Sequence, residues 1–168
     1  MVQPMLEPFD LKPISAAGVP SAIERAERYR LLNDPEQAES ICLDVLEVDP
    51  SNQRALVVLI LAITDQIRDG EASPNKAHAY VAKLETEYHR NYFGGLIRER
   101  HARALLGRGP SRVFAYDAFR EAMDLYEKAA SLRPEGEDEA ILRWNACVRT
   151  IRRGKLRPRP DEGELPLE

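Results

Sequence analysis

Apolar residues recur at helical spacing along most of the chain, and short polar turns separate the periodic stretches. The stretch 35–48 carries an apolar stripe with acidic residues on the other face, which predicts an amphipathic helix. Asp34 and Pro35 form its start signal, because aspartate caps a helix N-terminus and proline fits the first turn. The stretch 53–67 is apolar nearly all round and predicts a helix that is covered on most sides.

Turn signals divide the rest of the chain into five further helices. Ser21, followed three residues later by Glu24, predicts the start of a first helix that ends near Leu32. The strand-like alternation of apolar and polar residues is absent, so the pattern predicts an all-α fold. The remaining predicted helices run from 74 to about 92, from a break at Gly94-Gly95 to 106, over about 114–132 and over about 137–153.

The two ends of the chain differ from the helical part, which we place at 21–153. Residues 1–20 contain four prolines with apolar residues among them, which predicts an extended arm with side chains to bury. Residues 154–168 are basic, then acidic, and interrupted by prolines, so we predict a disordered charged tail there.

The composition and charge of the chain argue against several classes of protein. The chain has 168 residues with a net charge of −4, which fits one globular domain and argues against a dedicated nucleic-acid binder. Its two cysteines, Cys42 and Cys147, lie far apart and are predicted to be small buried thiols. The longest apolar run, 55–63, is too short to span a membrane, and the N-terminus resembles no secretion signal; we therefore expect a cytoplasmic protein.

The spacing of the helical pairs invites comparison with 34-residue helical repeats. One unit has a small residue, a tyrosine, an alanine and a proline at the expected places, the second keeps mainly apolar character, and the third is clear in its second helix. The chain therefore resembles the tetratricopeptide repeat family over about 19–136, as roughly three repeats of which two are degenerate. The residues that carry the resemblance are Ala22, Ala26, Tyr29, Ala38, Cys42 and Pro50, then Ala122, Tyr126, Ala129 and Pro134.

This resemblance implies a right-handed array of antiparallel helical hairpins, an α-solenoid, with the last helix as a cap. It also implies a non-catalytic adaptor or scaffold that holds a segment of a partner protein in a concave groove lined by the first helix of each hairpin. Adaptors of this kind that capture acidic C-termini need Lys and Asn in the groove. The predicted groove positions of this chain carry neither residue. The residues that helical spacing places toward the groove are Ile23, Glu27, Arg30, Arg54, Val57, Leu61 and Asp65.

Other interpretations of these residues stay open. The apolar groove positions could instead be covered, either by neighbouring hairpins or by the arm with Leu6, Phe9 and Leu11 folded back onto them. The helix 53–67 could also pack against a second copy of the chain or another subunit, giving a self-associating structural protein.

A basic cluster offers a second candidate surface. Arg98, Arg100 and Arg103 could bind RNA or an acidic protein partner, with the aromatic residues of 88–93 stacking on bases, or could simply form a solvated helix face.

Catalysis finds little support in the sequence. Glu85 and His89 share a helix face and could bind a metal with Glu99 or His101, but no metalloenzyme motif surrounds them. No nucleophile or phosphate-binding loop is recognisable. We therefore predict no enzyme activity, no cofactor and no metal.

Overall fold

A computed structural model describes residues 9–160, and throughout that part of the chain the regular secondary structure is helical, without strands. This confirms the all-α prediction. No helix among the described residues is long and apolar enough to cross a membrane. Short 3₁₀ segments, Ala16–Gly18 and Gly109–Phe114, precede the first and sixth helices. The helices are α1 (Val19–Leu31), α2 (Pro35–Val48), α3 (Gln53–Ile67), α4 (Pro74–Val81), α5 (Glu87–Leu106), α6 (Ala115–Leu132) and α7 (Glu139–Gly154).

Helices α2 and α3 begin and end where the sequence predicts. The Asp34 side chain accepts a hydrogen bond from the Gln37 backbone N–H, and Asn52 does the same for Ala55 at the start of α3. Each cap satisfies a backbone donor that has no partner inside the helix. As expected from its apolar character, α3 is buried on most sides.

The first helix begins earlier than predicted. Ser21 is not its cap, since α1 starts at Val19 and Pro20 occupies its first turn. The capping side chain is instead Ser15, which accepts a hydrogen bond from the Gly18 backbone N–H and starts the short 3₁₀ segment leading into α1. Proline at the start of a helix costs no hydrogen bond, so the proline-rich arm can run directly into α1.

The predicted break at Gly94-Gly95 is wrong, because α5 passes through both glycines without interruption. The chain breaks earlier, at 82–86, between α4 and α5. There the Gln53 side chain accepts from the Glu85 N–H and donates to the Lys83 carbonyl, which holds the non-helical connection against α3. The Thr86 hydroxyl then caps α5 by accepting from the backbone N–H of His89.

The described core consists of two packed clusters. One joins α1 to α4 with part of α5, and the other lies mainly between α5, α6 and α7. Each helix packs on the next along the chain, and α3 also contacts both α1 and α5. Side-chain pairs give the directions: Glu27–Arg54 and Arg30–Asp65 show that α1 and α3 run parallel. By the same criterion the contacts Tyr92–Tyr126 and Arg103–Phe119, in which one number rises as the other falls, show that α5 and α6 run antiparallel.

The described beginning of the tail differs from the predicted disorder. Residues 155–160 follow α7 along the 109–114 segment, and Leu156 packs against the second core cluster. The Arg159 guanidinium binds the Asp117 carboxylate at 2.8 Å and lies over the Phe114 ring. An ion pair and an apolar contact therefore hold a segment whose composition alone indicated disorder. Residues 161–168 lie outside the described part.

Candidate functional site

An open groove of about 590 Å³ lies where α1, α3 and the start of α5 meet. Its middle is apolar, its edges are charged, and His89 from α5 contributes to one wall. The lining residues are Glu27, Arg30, Leu31, Gln53, Arg54, Val57, Val58, Leu61 and His89. Five of the positions that helical spacing placed toward a groove therefore line one cavity. The other four, Leu31, Gln53, Val58 and His89, are additions that the α1 and α3 spacing did not include.

Two ion pairs between α1 and α3 shape the groove. The Arg54 guanidinium binds the Glu27 carboxylate through two hydrogen bonds, of 2.9 and 2.7 Å. The hydrogen bond from Arg54 lowers the pKa of Glu27, so the pair stays charged across the neutral range. Farther along, Arg30 donates to Asp65 at 2.8 Å. Bidentate geometry fixes the side chains, so the charged edge is ordered where it faces solvent.

Two apolar side chains between these ion pairs stay partly accessible. Val57 and Leu61 are one turn apart on α3 and are only partly buried, while Leu31 at the rim of α1 is 86% exposed. Ile23 does not belong to the groove, contrary to the expectation from spacing, because it is buried in the core between α1 and its neighbours. Asp65 does not line the cavity itself, although it binds Arg30, which does.

The described part of the arm lies away from the groove. Ile14 packs on α1 and α2, and Leu11 lines a depression on the outer face of α2 together with Leu43. Phe9 is 81% exposed. These residues do not cover Val57 and Leu61. Their positions therefore do not support the hypothesis that the arm folds back onto the groove. Leu6 lies outside the described residues.

A buried carboxylate network lies between α5, α6 and α7. Glu99 of α5 is fully buried, and its Oε2 accepts a 2.7 Å hydrogen bond from the Tyr126 hydroxyl of α6. Its Oε1 accepts from Arg103 at 2.9 Å and lies 3.6 Å from the Arg143 guanidinium of α7. Burial raises the pKa of Tyr126, and the negative charge of Glu99 raises it further, so the hydroxyl remains a donor.

The three arginines of the predicted basic cluster do not form one continuous patch. Arg98 pairs with Glu121 of α6 at 3.3 Å, whereas Arg100 turns toward Asp65 of α3 at 3.9 Å. Arg103 binds Glu99 within α5. Each guanidinium therefore faces a carboxylate on a different side, and the local charge is lower than the sequence cluster suggested.

The aromatic residues beside this cluster pack on one another. Phe93 is buried and meets the Tyr92 ring edge-on at 5.0 Å, and Tyr88 stacks on Tyr92 at 6.2 Å. The hydroxyl of Tyr92 reaches Glu139 of α7 at 3.3 Å. These rings connect α5 to α7 and to the core, which is the usual role of aromatic residues at helical spacing.

The structure gives no support for metal binding or thiol chemistry at the residues considered for them. Among the described residues, no group of three or more His, Cys, Asp and Glu side chains is arranged to hold a metal ion. The His89 ring nitrogen Nδ1 hydrogen-bonds to Thr86, and Glu99 is bound by Tyr126 and Arg103. Both cysteines are buried as predicted, and burial raises the pKa of each thiol to about 12. Such thiols are poor nucleophiles.

Known proteins do not identify this groove. No protein-family model, curated protein or solved structure matches the chain. The similarity to tetratricopeptide repeats therefore rests on the residues named above, and the role of the groove is argued from its geometry.

Two histidines outside the groove make stability depend on pH. Burial lowers the pKa of both His78 and His101, and the positive charge of Arg98 lowers each further. For His101, Arg108 adds to this effect and Glu121 opposes it. Below the ordinary value of 6.5, the unfolded chain therefore binds more protons than the folded chain.

We expect the free energy of unfolding to decrease as the pH falls through that value. Urea unfolding at about pH 7.5 and about pH 5.5 measures the change. The double variant His78→Gln, His101→Gln should show a smaller difference between the two pH values. An unchanged difference in this variant would contradict the assignment.

Proposed function

We propose that this chain is a non-catalytic interaction module of the tetratricopeptide type, and that it binds a segment of another protein in the groove of α1, α3 and α5. The observation that carries the proposal is the partly accessible pair Val57 and Leu61 between ordered ion pairs. An apolar strip with fixed charged edges suits a peptide segment that has both apolar and polar side chains.

The order of the helices supports a solenoid of hairpins. Parallel contacts join α1 to α3, and the pairs Tyr92–Glu139 and Glu99–Arg143 indicate that α7 runs parallel to α5. Every second helix would then face the same side, with α2, α4 and α6 behind them. In this arrangement α7 acts as the cap, where the partly buried Trp144 packs against the second core cluster.

Replacing the two apolar groove residues should abolish partner binding. In the variant Val57→Asp, Leu61→Asp, two carboxylates would occupy the surface that a partner's apolar side chains contact, and burying them unpaired is costly. The measurement is affinity purification of the tagged chain from its native host, followed by mass spectrometry. We expect one protein to co-purify with the native chain and to be absent from the variant.

A matched control separates binding from folding. Leu43→Asp, Leu142→Asp introduces the same charges at exposed positions outside the groove and should retain the partner. Circular dichroism must show that both variants stay helical, and Val57→Ala, Leu61→Ala provides a milder change if the aspartates unfold the chain. Recovery of the same protein with every folded variant, or recovery of only RNA or of the chain itself, would refute the proposal.

A further inference from the structure

Two arginine–carboxylate–arginine trios lie side by side on α5 and its neighbours. In the first, Arg30 and Arg100 share the Asp65 carboxylate; in the second, Arg103 and Arg143 share Glu99. Because Glu99 and Arg100 are consecutive residues, the trios lie at the same height of α5. Each trio has two positive charges and one negative charge, so each keeps a surplus of one positive charge.

In each trio one guanidinium is poorly paired. Asp65 is bound closely by Arg30 at 2.8 Å, whereas Arg100 is 3.9 Å away, and the buried Nε of Arg100 has no hydrogen-bond partner among the described residues. The oxygens of Glu99 are engaged by Arg103 and Tyr126, and Arg143 stays 3.6 Å from Oε1. The surplus charge therefore resides on Arg100 and Arg143.

Both poorly paired arginines are partly buried and remain partly exposed to solvent. About a third of each side chain, 31% for Arg100 and 33% for Arg143, is exposed. Burial opposes the charge of Arg143, but Glu99 and the nearby tyrosines outweigh it and raise its pKa, so this guanidinium stays charged. A half-buried guanidinium whose only ion pair is long is stabilised by an anion that completes its hydrogen bonds.

We propose that Arg100 and Arg143 hold acidic side chains of the partner segment that the groove binds. This inference rests on the proposed function and adds the chemistry of the partner: apolar residues over Val57 and Leu61, then carboxylates over the two arginines. Charge complementarity carries it, because a guanidinium and a carboxylate fit through parallel hydrogen bonds. The carboxylate on α7, Glu139, interacts with Tyr92, so Arg143 keeps only the 3.6 Å ion pair with Glu99 and its contact with the Tyr92 hydroxyl.

A fluorescein-labelled peptide of six glutamates tests the subsite directly. Fluorescence anisotropy at constant ionic strength should show that the peptide binds the native chain. The variant Arg100→Gln, Arg143→Gln should bind it at least about tenfold more weakly, because two charge-assisted contacts are lost. The control variant Arg149→Gln, Arg152→Gln removes the same charge from exposed positions of α7 and should change binding less than about twofold.

The other outcomes overturn the inference in distinguishable ways. Equal weakening by both arginine variants would show only general charge attraction. Absence of peptide binding, with the Val57→Asp, Leu61→Asp variant still losing its co-purifying protein, would remove the acidic subsite and leave the proposed function standing. A chain truncated after Pro160 that binds the peptide at least about tenfold more tightly than the full chain would assign the arginines to the chain's own acidic residues 161–168 instead.

Discussion

Replacing Glu99 by alanine is expected to destabilise the protein by about 3–5 kcal/mol, the usual cost of removing one partner from a buried ion pair. The carboxylate is fully buried and binds Tyr126 from α6 and Arg103 from its own helix, with Arg143 of α7 nearby. Without it, the Tyr126 hydroxyl loses its acceptor and two positive charges remain close together. Urea unfolding of the native chain and of Glu99→Ala measures the difference.

A double-mutant cycle separates the hydrogen bond from the charge. Tyr126→Phe removes only the hydroxyl and should cost about 1.5–3 kcal/mol, the net value of a hydrogen bond to a charged group. The two changes together should cost less than their sum, because they remove the same contact. A loss below about 1 kcal/mol for Glu99→Ala would show that the network does not hold α5, α6 and α7 together.

Local signals in the sequence predict helices whose ends are determined locally. The bounds of α2 and α3 follow from Asp34, Pro35 and Asn52, because capping depends on residues only three positions away. The end of α4 could not be found in this way. The side chain of Gln53, thirty residues upstream, binds the 82–86 connection, and only the tertiary structure brings the two together.

The groove was predictable for a related reason, and the buried network was not. Glu27, Arg30, Arg54, Val57 and Leu61 repeat at helical spacing on two helices, so one face could be derived from the period alone. Ile23 obeys the same period but lies where α1 meets its neighbours, and the spacing does not reveal that contact. Glutamate usually faces solvent, so the sequence does not indicate that Glu99 is buried. Its burial depends on Tyr126 and Arg143, which come from helices distant in sequence.

Replacing Gly95 by alanine is expected to destabilise the protein although alanine favours helices. A Cβ atom at Gly95 would lie 2.8 Å from two ring carbons of Tyr126, whose hydroxyl is anchored on Glu99 and cannot shift away easily. Overpacking of this kind costs about 1–3 kcal/mol, more than the gain of about 1 kcal/mol in helix propensity. Thermal and urea unfolding of Gly95→Ala measure the net loss.

The neighbouring glycine provides the control for this prediction. A Cβ at Gly94 would meet Leu125 at 3.5 Å, an ordinary contact, so Gly94→Ala should stabilise the chain by about 0.5–1 kcal/mol. In a Tyr126→Leu background the ring is gone, and Gly95→Ala should then cost less than in the native chain, with only the 3.3 Å approach to the Ala122 carbonyl oxygen remaining. If Gly94→Ala and Gly95→Ala instead had equal effects, the two glycines would act only through helix propensity, and Gly95 would not be needed for the close approach of Tyr126 to α5.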